Sequence, residues 1–237
     1  MLLLVYAMLS FMCFVNTKDL CTSEVRQYCY LQKRHPMACV GTYVCPQISE
    51  NQSDEEERFK ENIVRLHNVI RSQPVYGLTA ANMRQLKWDD QLEQMAKITA
   101  HQICVNTYIQ RFCEATPKHL EMIGSNELVL SANFKLRINA DTVMDKWFKK
   151  RMEYNATNLI LPYNGNRSIQ PVAQILSAET HSIGCAYLQA NNRGLQLLVV
   201  CKYAPAGANV GMNAFIVGPQ GSQCPVNTSR TPEGLCN

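Results

Sequence analysis

No two cysteines in this chain are separated by two residues, so the CxxC spacing of zinc ribbons and thioredoxin-type redox centres is missing. There is no G-x-S-x-G elbow, no H-E-x-x-H and no Walker loop. These absences remove the signatures of α/β-hydrolases, zincins and P-loop enzymes. No long apolar run follows the first fifteen residues, and there is no internal repeat. Charge of one sign is scarce too: the net charge is +4 and the basic residues are scattered. Their densest cluster, Lys146, Lys149, Lys150 and Arg151, reads first as a solvated helix face and only second as an anion or glycan patch. So small a basic excess excludes a nucleic-acid partner.

Cysteine itself is plentiful. Of eleven, Cys13 lies in the apolar start and ten follow it: Cys21, Cys29, Cys39, Cys45, Cys104, Cys113, Cys185, Cys201, Cys224 and Cys236. An even set spread over the chain predicts a disulfide framework in an oxidising compartment, against the alternative of a reduced protein with metal-binding cysteines. Residues 1–15 are apolar except Ser10, and the first charge is Lys18. A membrane span needs about 20 apolar residues, so the run is expected to be a signal peptide over 1–17, cleaved after Thr17. An uncleaved anchor is the rival reading. Sequons at Asn51, Asn155, Asn166 and Asn227 fit a secreted, extracellular glycoprotein with no membrane span in the mature chain.

Residues 18–52 read as a cysteine-rich lasso without clear periodicity. A helix is predicted from Ser53, boxed by Glu56, with Phe59, Ile63, Leu66 and Ile70 on one face and Pro74 and Gly77 at its end. A second begins near Asp89 or Asp90, with Glu93 as capping partner and Trp88, Leu92, Met95, Thr99 and Ile103 on one face. A third covers 139–152, capped by Thr142 and Asp145. A polar loop over Asn155–Ile169 carries an apolar island, 158–162, that reads as a core anchor before it reads as a contact patch. Strands are predicted over Val172–Ser177, Ile183–Leu188 and Leu195–Tyr203. The last two form a hairpin that sets Cys185 opposite Cys201. Helices first and a hairpin later indicate α+β rather than a parallel sheet.

These segments carry motifs in a telling order. His67-Asn68-Val69-Ile70-Arg71 comes first, then Leu86-Lys87-Trp88-Asp89-Asp90-Gln91-Leu92, then Gly124-Ser125-Asn126. Ala173-Gln174-Ile175-Leu176, Ile183-Gly184-Cys185 and Val199-Val200-Cys201-Lys202-Tyr203-Ala204-Pro205 follow. The succession resembles the CAP superfamily of cysteine-rich secretory, antigen 5 and pathogenesis-related 1 proteins. The lasso and the ending around Cys224 and Cys236 resemble its insect antigen 5 (venom allergen) branch. The resemblance implies an α-β-α sandwich, with a signal peptide over 1–17, an extension over 18–52, the CAP domain over 53–210 and a disulfide-held tail over 211–237. It also implies the bridges Cys21–Cys39, Cys29–Cys113, Cys45–Cys104 and Cys185–Cys201, which leaves Cys224 with Cys236.

Many relatives hold a divalent metal on two His and two Glu. Carried across position by position, the resemblance puts that tetrad at His67, Gln91, Ser125 and Pro171, so only His67 keeps its type. One imidazole with a carboxamide, a hydroxyl and a proline cannot replace three or four converging ligands. Glu179 and His181 are read as surface residues of a turn, too remote to help. Ser131, His101 and Asp89 make only a nominal triad. The expectation is therefore a non-enzymatic extracellular binding protein without a cofactor, with a protein, glycan or lipid as ligand. The alternative is a metal-dependent hydrolase or small-lipid carrier using the central cleft.

Overall fold

The computed structural model describes residues 19–40, 45, 53–75, 77–105, 112–133, 136–148, 161–191 and 195–237. The expected leader, the sequons at Asn51 and Asn155, the hairpin turn and most of the apolar island lie outside these residues. So does the side chain of Ser53, and with it the capping box.

The elements run α1 (Ser23–Leu31), β1 (His35–Pro36), α2 (Ser53–Arg71), β2 (Lys87–Trp88), α3 (Asp90–Cys104), β3 (Phe112–Cys113), β4 (Gly124–Ala132), α4 (Ala140–Trp147), α5 (Gln170–Ile175), β5 (Ser182–Ala190) and β6 (Leu195–Ala204). β1 and β3 form a small parallel pair. The main sheet has the order β2-β5-β6-β4, parallel only between β2 and β5. β5 and β6 are buried almost end to end because helices cover both faces of the sheet. On one face, Phe59 and Ile63 of α2 and Val143, Met144 and Trp147 of α4 pack on Tyr187, Val199, Cys201 and Tyr203. On the other, Ala96 and Ala100 of α3 meet Ala186, Leu188, Leu198 and Val200. The result is an α-β-α sandwich. The N-terminal extension covers the outer side of α3, where Leu20, Met37 and Ala38 pack on Met95 and Ile98.

Five disulfides tie these layers: Cys21–Cys39, Cys29–Cys113, Cys45–Cys104, Cys185–Cys201 and Cys224–Cys236. Cys185 and Cys201 sit directly opposite each other in the β5–β6 register.

Several sequence expectations are corrected. Residues 172–177 are not a strand: Pro171 occupies the first turn of α5, where its missing N–H costs nothing, and the apolar run after it is helical. The lasso contains a helix, α1, whose N-cap Thr22 accepts a hydrogen bond from Val25 N. α4 is capped by Asn139, not Thr142 or Asp145, and ends at Trp147. Asp89 does cap α3, its carboxylate accepting from Gln91 N and Leu92 N. Glu93 is no capping partner; it takes Trp88 Nε1 at 3.2 Å and ion-pairs with Lys60 and Lys97. The disulfide-held C-terminal segment is held by packing as well: Phe215 and Leu235 are buried in a second core with Met83, Tyr163 and Val172, and Leu161 packs against it.

Candidate functional site

The sheet divides the candidate residues between its two faces. On the α2 face, His67 is fully buried. Its Nδ1 lies 2.7 Å from Ile63 O and its Nε2 2.9 Å from the Tyr203 hydroxyl. A carbonyl only accepts, so Nδ1 carries the proton and Nε2 accepts from Tyr203. Asn126 Nδ2 donates to the same hydroxyl at 3.2 Å and to Pro171 O at 3.3 Å. Burial pushes the His67 imidazole down to about 4; the Ile63 hydrogen bond opposes this and the Arg71 charge adds to it. Burial likewise raises the Tyr203 phenol. His67 is thus a neutral link between α2 and β6.

The rest of its motif is also internal. Asn68 Nδ2 donates to Leu86 O at 3.0 Å and its Oδ1 accepts from Leu86 N at 2.8 Å, copying a strand pairing. The buried Arg71 guanidinium donates to Arg84 O, Ile175 O, Ser177 O and Thr180 O at 2.6–3.0 Å. Gln174 bridges Thr180 Oγ1 and Gly207 N at 3.2 and 2.8 Å. These motif residues act as clamps on backbone that no strand or helix satisfies.

On the α3 face lies a cleft of ≈ 300 Å³, with Glu114, Glu121, Met122 and Ser125 among its lining residues. Beneath it, Lys202 is 0 % exposed. Its ammonium donates to both Glu114 carboxylate oxygens at 2.8 and 2.7 Å and to Ser125 Oγ at 3.2 Å. Ser125 Oγ in turn donates to Glu127 Oε1 at 3.0 Å. A buried cation needs a partner of this kind to be tolerated. A lysine alone in the apolar run Leu197–Ala204 is a signal that sequence reasoning missed, and Glu114 was missed with it.

The four tetrad positions do not converge. Ser125 pairs with Lys202 and Asn126 with Cys201 across β4 and β6, and successive side chains point to opposite faces. Asn126 reaches the His67 network, so Ser125 faces away from it. Gln91, in the first turn of α3, accepts from Lys118 N at 2.9 Å. Pro171 starts α5. His181 Nδ1 is held by Ala204 O at 2.9 Å and Glu179 is exposed, so neither rescues the set. The nominal triad is not assembled either. Asp89 and His101 lie on one helix, about 18 Å apart at 1.5 Å per residue, and Ser131 is exposed near the end of β4. Beside the cleft, Asp89 Oδ2 takes His119 Nε2 at 3.1 Å and the Lys118 ammonium. Burial would raise this carboxyl, but hydrogen bonds from His119, Lys118 and Leu92 N hold it well below the usual carboxylate range.

Among the described residues no group of three or more His, Cys, Asp or Glu could hold a metal ion. At the cleft the groups are the Glu114 and Glu121 carboxylates, the Ser125 hydroxyl and the Lys202 ammonium, and the last repels a cation. The residues present do not fit a divalent metal. Nor does Ser125 have an imidazole or free amine as base, since Lys202 is committed to Glu114.

Residues 64–203 match the family CAP, the cysteine-rich secretory protein family. The chain is 32% identical over 196 residues to "Cysteine-rich venom protein" of Tityus serrulatus, covering 76% of this chain and 46% of that protein. It is 26% identical over 239 residues to "Venom allergen 5" of Lycosa singoriensis, covering 95% of this chain and 60% of that protein. The chain thus spans about half the length of these relatives. Among solved structures, "Crystal structure of NaASP2 with Zn2+" superposes with a TM-score of 0.62 at 24% identity, over 81% of this chain and 100% of that one. At that identity the likeness carries the fold alone.

Proposed function

The chain belongs to the CAP family of cysteine-rich secretory proteins, and from that premise we propose that it is a secreted protein that acts by extracellular binding and not by catalysis. No helix among the described residues is long and apolar enough to cross a membrane. Five disulfides suit an oxidising compartment. The sequons at Asn166 and Asn227 are on exposed residues.

One observation carries the non-enzymatic reading: the cleft beside α3 is served by the protein's own cation, Lys202, locked to Glu114 and Ser125. The arrangement neutralises itself. The Lys202 ammonium opposes a catalytic metal, and the Ser125 hydroxyl has neither an imidazole nor an uncommitted amine beside it, only the Glu127 carboxylate. A scaffold cross-linked at five points then presents its surface as a rigid binding face. As a lipid carrier the cleft is poorly suited, because Glu114, Glu121 and Ser125 line it together with Arg34 and Gln32.

The test is hydrolysis of ester and peptide substrates by the secreted, disulfide-bonded protein, with zinc, with manganese and with EDTA. The expected rates equal background in all three. Turnover that needs metal and disappears in Glu114→Ala overturns the reading.

A further inference from the structure

A different surface carries a partner of definite chemistry. α1 buries Val25 and Cys29 and turns the rest of its surface outward. There, Arg26, Tyr30, Leu31, Lys33, Arg34 and His35 lie along a shallow groove of ≈ 860 Å³, and none of the described residues lining it is acidic. Tyr30 is 80 % exposed and Leu31 74 %. The acid on α1, Glu24, lies at its opposite end.

The backbone gathers this set. Lys33 has φ 56, a left-handed conformation that favours glycine. With it, Arg34 N reaches back to Cys29 O at 3.1 Å and Lys33 N to Tyr30 O at 2.9 Å. The chain therefore folds its cations against the last turn of the helix. Cations at a helix C-terminus are favourable on their own account. That explains the charges but not two adjacent large apolar side chains left in water between them.

We propose that this face docks the protein on a phospholipid surface rich in anionic head groups. Arg26, Lys33 and Arg34 would meet the phosphates, and Tyr30 and Leu31 would enter the head-group and acyl boundary. Apolar residues flanked by cations are the pattern of interfacial binding, and tyrosine suits that boundary because its ring is apolar and its hydroxyl polar. A free lipid monomer fits less well, since side chains this exposed would not enclose its tail. A sulfated glycan would use the cations without giving Leu31 a role. The proposal shares with the reading above the extracellular setting and Arg34, which also lines the cleft, but the hydrogen bonds of Lys202 to Glu114 and Ser125 do not involve Arg34. A negative result here leaves the hydrolysis result unchanged, and the reverse holds too.

The experiment is co-sedimentation of the secreted, disulfide-bonded protein with phosphatidylcholine vesicles, with and without about 30% phosphatidylserine, at low and high salt. Binding is expected only to the anionic vesicles and is expected to weaken as salt rises. Lys33→Gln with Arg34→Gln should weaken it about thirtyfold, at roughly fivefold per cation. Tyr30→Ser with Leu31→Ser should weaken it about tenfold or more. Lys87→Gln, an exposed lysine on β2, is expected to bind as the parent does. All variants are first checked for unchanged melting temperature. Equal binding to both vesicle types, or none, overturns the proposal. So does anionic binding that neither pair of substitutions alters. So does heparin binding that the Tyr30/Leu31 pair leaves intact while vesicles do not bind, or saturable one-to-one binding of monomeric oleate in place of vesicle binding.

Discussion

His67 shows how a residue that looks like a ligand can be a fastener. Its proton sits on Nδ1, its lone pair takes the Tyr203 hydroxyl, and it has no access to solvent. Its folded-state value of about 4 lies below the ordinary 6.5. The unfolded chain therefore binds the proton more readily. Stability is fully present above pH 6.5 and is lost as pH falls toward 4, by about 3 kcal/mol at about 1.4 kcal/mol per pH unit. Urea unfolding between pH 7 and 4 should show this slope, and His67→Gln should flatten it. His67→Ala should cost about 2–4 kcal/mol at pH 7, from the cavity and from the Tyr203 hydroxyl proton losing its acceptor. Lys202 is the other decisive residue. Lys202→Met removes the ammonium that donates to both Glu114 carboxylate oxygens and should lower stability by about 3 kcal/mol. Adding Glu114→Gln should recover much of the loss, which a double-mutant cycle measures. His67 was legible because its motif names it. Glu114 and Lys202 were not, because they are far apart in sequence; the β4–β6 register sets Lys202 opposite Ser125, and Glu114 reaches it from the segment after β3.

At the scale of elements, the long amphipathic helices were readable and the short buried ones were not. α2 and α3 keep an apolar face over several turns, so periodicity identifies them. α5 is buried from Pro171 to Ile175, Gln174 included, so it shows no polar face, and so short a run does not distinguish helix from strand. β4 did alternate: Leu128 and Leu130 face the core while Glu127 and Ser131 are exposed, a pattern of period two that marks a strand. α3 and β5 meet backbone to backbone at Gly184. A Cβ on Gly184 would collide with the backbone of Leu92 and Glu93 and with Asp89 O. Gly184→Ala must therefore push α3 off the sheet, and a loss of about 3 kcal/mol or more is expected in thermal unfolding. On the surface loops, Asn166 and Asn227 are exposed. Glycosidase treatment of the natively secreted protein is expected to lower its mass, and an unchanged mass would refute glycosylation.

For the whole molecule, the hairpin sets Cys185 opposite Cys201, but the full disulfide connectivity came with the family resemblance, since ten cysteines allow many pairings. The bridges differ in what they hold. Cys224–Cys236 closes a short loop in a segment already packed through Phe215 and Leu235. Replacing both cysteines by serine should cost about 2–3 kcal/mol and leave the fold intact, whereas ending the chain at residue 210 should strip the second core and prevent secretion. The extension is equally part of the body, because α1 is bridged to β3 by Cys29–Cys113 and Met37 packs on α3. What this body does rests on the state of the cleft. Isothermal titration of zinc into the secreted, disulfide-bonded protein at pH 7 tests that most directly. With the Lys202 ammonium seated on Glu114 and Ser125, no saturable heat is expected at micromolar zinc. A one-site, submicromolar isotherm that vanishes in Glu114→Ala would contradict the account.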